Sequence, residues 1–219
     1  MGTAAHGGRL SAAIALGAVA LGLGASGCPY QPILGEPCPY DPTVGNCFIE
    51  AYSFDFDDAR VDSLDLASLP ASPSACRDPV RGTVTRVVDG DTFDIAIDGA
   101  AAGVTERIRL TGVDTPETYV TMGYPHCYGT DAKLWTEELT GRRVALSFDR
   151  GCDDGNGRVL AFVWLGPREN DMWQRQLLRR GYARHLTIAP NDYFADTFVG
   201  DEAIAMAEER GQWLECRLP

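Results

Sequence analysis

The amino-acid sequence predicts an α+β fold, mainly β, in which five short strands form a small Greek-key barrel with three helices appended. Two observations indicate this class: five short runs read as strands, the first three by alternation of apolar and polar residues, and three longer stretches read as helices. All lie between residues 79 and 219. A stretch of about 140 residues is long enough for one self-sufficient core.

The elements follow one another in a simple order. The five strands are predicted at 81–88, 92–97, 105–112, 143–149 and 159–164. The three helices are predicted at 130–140, 170–180 and 196–210. Gly141 ends the first helix, and Gly181 and Gly211 stand where C-caps of the other two are expected.

Two short acidic patches stand next to predicted strands. The first is the Asp-Gly-Asp-Thr run at 89–92, and the second is the Val-Asp-Thr-Pro-Glu run at 113–117, five residues downstream of Arg109. Asp-Gly alone is typical of a hairpin turn, but the two patches together indicate a metal-phosphate site. Hard oxygen ligands at such turns suit Ca²⁺ better than Zn²⁺, which prefers histidine and cysteine.

These runs, with Tyr-Gly at 128–129 and Gly-Arg-Val-Leu-Ala at 157–161, resemble the staphylococcal nuclease (thermonuclease) family over about residues 80–215. The resemblance implies an OB-fold and calcium-dependent hydrolysis of DNA and RNA with little sequence preference, leaving 3′-phosphate ends. It implies that Asp91 and Asp114 bind Ca²⁺ together with the Thr115 carbonyl. Glu117 would activate water, and Arg109 and Arg158 would hold the phosphate.

The same chemistry follows from the residue types. Phosphodiester hydrolysis needs a base, an oriented water and positive charge at the phosphorus, which Glu117, Ca²⁺ and two arginines would supply. Arginine suits this task because its planar fork holds two phosphate oxygens. Taken singly, Arg109 could be a strand arginine paired with a carboxylate, and Arg158 an ordinary loop arginine. The alternative function is a non-catalytic module that binds nucleic acid or protein around a structural calcium.

Charge and composition set limits on substrate binding. The net charge is −12, and 17 Arg and Lys against 23 Asp and Glu between residues 77 and 219 leave the predicted domain near −6. Because polyanion binding normally uses a basic surface, we expect local attraction from Ca²⁺, Arg109, Arg158 and Arg184, and short-footprint binding. Where family members commonly carry base-stacking tyrosines, this chain has Asn156 and Thr187, although Tyr193 could compensate. The tryptophans are expected in the core, at Trp135, Trp164, Trp173 and Trp213.

The first 27 residues have the pattern of an export signal. Arg9 precedes an apolar stretch at 11–23, which is too short and too rich in Gly and Ala to span a membrane as a helix. Small residues before Cys28 resemble a bacterial lipoprotein processing site, with Cys28 as the lipidated residue. Ordinary cleavage near the same point is the alternative. We therefore expect an exported monomer, either lipid-anchored at the cell envelope or secreted.

The chain has seven cysteines. If Cys28 carries lipid, six remain, and these could form three disulfides in fifteen connectivities. Export favours pairing, whereas the absence of a C-x₂-C spacing argues against zinc. The fold of the resembled family implies the bonds Cys76–Cys152 and Cys127–Cys216, which leaves Cys38–Cys47 as a local pair.

Residues 28–78 are predicted to form a tether between the signal and the domain. They are rich in proline and acidic residues, and 69–75 have the composition of a flexible or extended linker. Residues 48–56 could instead lie as an edge strand on the domain. The tether is too small to build its own core.

Overall fold

The computed structural model of the protein describes residues 1–2, 40–41, 46–47, 56–119 and 126–216. The chain divides into two compact units, Met1–Cys47 and Phe48–Pro219. In the first unit, β1 (Tyr40–Asp41) pairs with β2 (Asn46–Cys47) in antiparallel orientation. Apart from residues 1–2 and Phe56, the predicted export signal, Cys28 and the possible edge strand at 48–56 lie outside the described residues. The same holds for the Cys38–Cys47 pair, of which only the backbone of Cys47 is described. They stay predictions.

A closed five-stranded barrel forms the centre of the second unit. Its strands are β3 (Val80–Asp89), β4 (Thr92–Ile97), β5 (Glu106–Leu110), β7 (Arg143–Ser147) and β8 (Val159–Trp164). Around the barrel they run β3-β4-β5-β8-β7, and β7 pairs with β3 to close it. β5 and β8 are parallel, and the other neighbours are antiparallel. The five-stranded barrel predicted from the sequence is confirmed.

A second, small sheet lies next to the barrel strand β5. The predicted third strand breaks at Thr111, and the chain continues as β6 (Gly112–Asp114), which pairs antiparallel with β9 (Arg184–Leu186). Gly112 has φ +84°, and a Cβ there would lie 2.4 Å from the Phe198 ring. Glycine therefore permits both the left-handed backbone and the close packing at this break.

Helices pack around the barrel. They are α1 (Asp58–Asp62), α2 (Gly129–Glu137), α3 (Trp173–Arg179), α4 (Ala195–Ala207) and α5 (Gln212–Glu215). α2, α3 and α4 are the three predicted helices, with ends that differ by one to three residues. α1 and α5 span one turn each, which is too short for a periodic pattern to reveal. Within the described part of the chain, none of the helices has the length and apolar character that crossing a membrane requires.

The core fills the barrel and extends under the helices. Inward-facing residues such as Phe93, Ile95 and Ile108 have no exposed surface. Trp135 of α2 stacks on Trp173 of α3, with ring centroids 5.6 Å apart. Trp135, Trp164 and Trp173 are all buried, as predicted, whereas Trp213 is half-buried.

The segment before the barrel differs from the linker that its composition suggested. Asp57 caps α1 by accepting a hydrogen bond from the Arg60 amide at 3.0 Å, and Val61 of that helix is buried. Further along, Leu69 is buried, and Ser147 Oγ donates to the Pro70 carbonyl at 2.8 Å. These contacts fix residues 56–76 on the barrel. The domain boundary drawn at residue 78 stays a prediction.

Two disulfides join distant parts of the second unit. Cys76, just before β3, is bonded to Cys152, and Cys127, just before α2, is bonded to Cys216. Both are the pairs implied by the family fold. Because β3 pairs with β7, the residue that precedes β3 comes close to the residue that follows β7.

Candidate active site

The turn between β3 and β4 brings the two acidic patches together. Asp89 ends β3, and Gly90 and Asp91 form the turn. Gly90 packs so closely on the second patch that an added Cβ would lie 2.7 Å from Thr115 Oγ1. Any side chain at this position would push the two patches apart.

Arg109 on β5 lies between the patches and is 7% exposed. Its guanidinium contacts the Asp91 carboxylate and donates to Asp114 Oδ1 at 2.6 Å and to the Val113 carbonyl at 3.2 Å. The Thr115 amide donates to Asp91 Oδ2 at 3.0 Å. Burial would lower the pKa of Arg109, but the charges of Asp91 and Asp114 outweigh burial and raise this pKa above its ordinary value. Arg109 is therefore a permanent cation shared by the two patches.

Glu117 lies close to the same carboxylates. Burial, contact with Asp89, and the charges of Asp89, Asp91 and Asp114 raise the pKa of Glu117 above its ordinary value. Burial is the first of these causes, and the neighbouring carboxylates act in the same direction. We call Asp89, Asp91, Asp114 and Glu117 the carboxylate cluster.

The backbone of Glu117 is held by the segment that leads into α2. The His126 amide donates to the Glu117 carbonyl at 2.8 Å. Gly129, the first residue of α2, approaches so closely that a Cβ there would lie 2.4 Å from the Glu117 carbonyl oxygen. The next residue after His126 is Cys127, whose disulfide to Cys216 ties this segment to α5.

Arg158 stands next to β5 but is paired with a different carboxylate. Ile108 and Val159 are partners in the parallel β5–β8 ladder, so Arg158, at the start of β8, lies level with Arg107. The Arg158 guanidinium contacts Asp154, and the Arg158 amide donates to Asp154 Oδ1 at 3.1 Å. Arg158 therefore lies at the start of β8, next to the strand that carries Arg109. Its own ion pair is with Asp154.

The positions considered for base stacking and added charge differ in their exposure and in their partners. Asn156 is exposed in the turn before β8, and Thr187 is exposed with its hydroxyl 2.9 Å from His185 Nε2. Tyr193 is 45% exposed. Arg184 is opposite Asp114 in the β6–β9 ladder, while its guanidinium donates to Gln212 Oε1 at 2.9 Å and lies 4.9 Å from the Trp213 ring.

Comparison with known proteins places this arrangement in one family. The family described as "Staphylococcal nuclease homologue" matches residues 107–215, a range that includes Arg109, Asp114, Thr115, Glu117 and Arg158. The thermonuclease of Staphylococcus hyicus is 35% identical over 133 residues, which cover 60% of this chain and 71% of that protein. The chain belongs to the staphylococcal nuclease family.

Other members of the staphylococcal nuclease family agree with this assignment. The thermonuclease of Staphylococcus intermedius is 44% identical over 112 residues, which cover 51% of this chain and 62% of that protein. Endonuclease YhcR of Bacillus subtilis is 33% identical over 159 residues, covering 68% of this chain and 13% of that protein. The chain thus spans between about one-eighth and seven-tenths of the length of these relatives.

Calcium would meet suitable donor chemistry at the carboxylate cluster. The donors are carboxylate and hydroxyl oxygens, and Thr115 Oγ1 is buried with no hydrogen-bond partner. Among the described residues, no group of three or more His, Cys, Asp or Glu is arranged to hold a metal ion. Asp91 and Asp114 both contact Arg109. Binding of Ca²⁺ through these carboxylates would therefore require them to share or release the guanidinium.

Sequence reasoning named the charged residues of the site but missed the residues that position them. Gly90 and Gly129 matter through close backbone approach, and Thr136 Oγ1 donates to the Gly90 carbonyl at 2.6 Å. Asp154 was missed as the partner of Arg158. Only the i, i+4 spacing of Asp154 and Arg158 gave a usable signal, since the other contacts join residues from distant parts of the chain.

Proposed function

We propose that this chain is a calcium-dependent nuclease that hydrolyses phosphodiester bonds of DNA and RNA with little sequence preference. The observation that carries the proposal is that Glu117 lies close to Asp91 and Asp114, and that these two carboxylates share the buried guanidinium of Arg109. Membership of the staphylococcal nuclease family supports it, as do relatives named thermonuclease and endonuclease. We propose that the protein acts as a monomer.

In this proposal each side chain has a separate role in hydrolysis. Glu117 accepts a proton from the attacking water, whose oxygen forms the new bond to phosphorus. The bond from phosphorus to the 5′ oxygen breaks, and that oxygen takes a proton from solvent, which leaves a 5′-hydroxyl and a 3′-phosphate. Arg109 and Arg158 offset the negative charge that develops on the phosphate oxygens.

Calcium would be held by Asp91, Asp114 and the Thr115 carbonyl. When bound, Ca²⁺ supplies positive charge toward the phosphate and the attacking oxygen. The cluster supports this role because it brings four carboxyl groups together around one guanidinium, that of Arg109, and because Thr115 Oγ1 is buried without a hydrogen-bond partner.

Metal dependence is the first test of this function. We expect plasmid DNA and single-stranded RNA to be degraded with Ca²⁺, far more slowly with Mg²⁺, and not after chelation. The reason is that Mg²⁺ demands strict octahedral geometry and dehydrates reluctantly, whereas turn oxygens suit the looser shell of Ca²⁺. Gel assays at matched metal occupancy check this. Equal rates with Mg²⁺ and Ca²⁺ would contradict the assignment of the metal.

Glu117→Gln separates the nuclease from the alternative, a binding module with a structural calcium. Removing the base while keeping the shape should lower kcat by at least about 100-fold. The matched control is Glu137→Gln, an exposed α2 carboxylate paired with Lys133, which should keep the wild-type kcat. A Glu117→Gln variant with wild-type turnover would favour the binding module.

We further propose that the protein is exported and anchored by lipid at Cys28. The proposal is supported by the sequence pattern of residues 1–28, with its short apolar stretch and small residues before Cys28. Secretion after ordinary cleavage is the alternative that fractionation would reveal.

A further inference from the structure

A cavity of about 600 Å³ lies at the surface of the barrel, and none of the carboxylate cluster lines it. It is formed where β4, β5 and the turn before β8 meet. Its lining residues are Asp94, Thr105, Arg107, Asn156, Gly157 and Arg158. Of these, only Arg158 has a place in the chemistry described above.

The cavity continues the line of the candidate active site along β5. Arg107 and Arg109 are two residues apart on this strand, so their side chains leave the same face with about 7 Å between them along the strand. On β4, Thr92 is the partner of Arg109 and Asp94 is the partner of Arg107. A chain lying along this face would pass from Arg109 to Arg107.

The charges of the cavity favour an anion. Asp94 accepts from Arg107 Nε at 2.8 Å and from Arg86 Nη2 at 2.7 Å, so two guanidinium groups share one carboxylate. The side chain of Asp94 is 13% exposed, whereas those of Arg107 and Arg86 are 42% and 62% exposed. One net positive charge therefore faces solvent here, in a domain whose net charge is near −6.

The arginines are also oriented for a second partner. Asp94 holds the Nε edge of both guanidinium groups, and arginine carries five N–H donors, so donors remain for another acceptor. A guanidinium already ordered by a carboxylate loses less side-chain entropy when it binds a ligand.

We propose that this cavity is a second phosphate subsite, in which Arg107, supported by Arg86, binds the phosphate that neighbours the scissile one in a polynucleotide. The inference rests on the proposed function, because it needs a nucleic acid at the carboxylate cluster. The six lining residues include no aromatic side chain, so this subsite contacts the backbone and adds no base preference.

The test combines a protein variant with removal of one substrate charge. Tetrathymidylates carrying a neutral methylphosphonate at each linkage in turn are titrated, with Ca²⁺, against the full chain bearing Glu117→Gln, in which hydrolysis is slow. Fluorescence anisotropy gives Kd. At one linkage beside the scissile position, we expect the neutral group to weaken binding about fivefold, the size of an exposed ion pair.

Adding Arg107→Gln to this chain should raise the Kd of the unmodified tetramer by about the same factor. In the double variant, the neutral linkage should then raise Kd by less than about twofold. The dependence of log Kd on log salt concentration should fall in slope by about 0.7 for one lost single-strand phosphate contact. Arg107→Lys should keep most of this slope while losing affinity, since its charge remains.

Arg168→Gln is the matched control. Arg168 is an exposed arginine that also pairs with a carboxylate, Asp171, and it follows the far end of β8. The Arg168→Gln variant should bind every tetramer with the same Kd as the chain that carries Glu117→Gln alone. Thermal melts establish that each variant is folded, and Arg86→Gln provides a second variant of the subsite if Arg107→Gln does not fold.

The outcomes separate this inference from the proposed function. The subsite is overturned if each neutral linkage changes Kd by the same factor with and without Arg107→Gln. It is also overturned if no tetramer binds. Wild-type protein that degrades DNA but gives this result is a nuclease without the subsite. Protein that shows the coupling but hydrolyses nothing has the subsite and is not a nuclease.

Discussion

At the scale of single residues, Arg109 contacts both acidic patches at once. It is buried, and both Asp91 and Asp114 depend on its guanidinium. The planar fork can face two carboxylates at once, which a lysine ammonium cannot do with the same geometry. In the proposed reaction the same fork must also face a phosphate, so exchange of partners at Arg109 accompanies substrate binding.

Replacing Arg109 by lysine keeps the charge and removes the fork. We expect Arg109→Lys to lower kcat by at least about 100-fold, because a single ammonium cannot hold two phosphate oxygens in the transition state. Steady-state kinetics on DNA with saturating Ca²⁺ measures this. Arg168→Lys, at an exposed ion pair, should retain wild-type kcat. A wild-type kcat in Arg109→Lys would exclude a two-pronged role.

At the scale of elements, α2 supports the site through its first and last turns. Gly129 packs on the Glu117 carbonyl, and Thr136 donates to the Gly90 carbonyl. One short helix therefore contacts the backbone of both acidic patches. Its position sets the distance between the proposed base and the turn that carries Asp91.

Gly129→Ala tests this support. The added Cβ would lie 2.4 Å from the Glu117 carbonyl oxygen, so the backbone of Glu117 must shift. A displacement of about 1 Å at a catalytic group can cost on the order of 100-fold in rate. We expect a lower melting temperature and a clear loss of kcat.

Gly200→Ala is the matched control for Gly129→Ala. Gly200 lies within α4, and a Cβ there would meet nothing within 4 Å. Alanine is favoured over glycine in a helix by about 0.5–1 kcal/mol, so this variant should gain stability and keep its rate. If both variants behaved alike, the contact of α2 with Glu117 would not matter for function.

Much of the fold was predictable because its signals are local. Alternation located the first three barrel strands, short apolar runs located the other two, and helical periodicity located α2, α3 and α4. The sequence did not reveal α1, whose single turn is stabilised by the Asp57 cap and by burial of Val61 on the barrel. Proline content at 69–75 suggested a linker, yet burial of Leu69 against the barrel outweighs that local composition.

The candidate site was predictable in its charges and not in its contacts. The two acidic patches and Arg109 lie within one short stretch of sequence, so their motif reveals them together. Pairing of Arg158 with Asp154, and of Arg107 with Asp94, depends on which neighbours the barrel supplies. Such choices among many nearby carboxylates are decided by tertiary structure.

At the scale of the whole molecule, the two disulfides restrain the unfolded chain. They join residues separated by 76 and 89 positions. Loops of such length give each bond about 3–5 kcal/mol of stabilisation. Reduction should therefore lower the melting temperature by on the order of 10 °C per bond. Calorimetry with and without reductant measures the loss, and non-reducing peptide mapping should recover Cys76 linked to Cys152.

The matched control for the disulfides is the double variant Cys76→Ser/Cys152→Ser. Its melting temperature should be lower than that of the wild type before any reductant is added. Reductant should lower it further only by the amount that the remaining disulfides contribute. A melting temperature that does not respond to reductant in the wild-type protein would contradict this account.

The membrane anchor is also a property of the whole molecule. We expect Cys28→Ser to move the protein from the membrane fraction to the soluble fraction, because lipid attachment needs the thiol while export does not. Fractionation after a salt wash, followed by immunoblotting, measures the change. Cys38→Ser should leave the distribution as in the wild type. A Cys28→Ser variant that still sediments with membranes would contradict lipidation.

The parallel pairing of β5 with β8 has a consequence for how fast the protein folds. β3 and β4 meet through a short turn, whereas Ile108 and its β8 partner Val159 are 51 residues apart in sequence, and Val80 and Leu146, which close the barrel, are 66 apart. Contacts of this range must overcome loop-closure entropy before they contribute. Refolding with intact disulfides should therefore occur in about milliseconds to seconds, the range of barrels dominated by distant pairings. By the same argument, the acidic turn at Gly90 should form before its contact with Thr115, and that contact should form before the barrel closes.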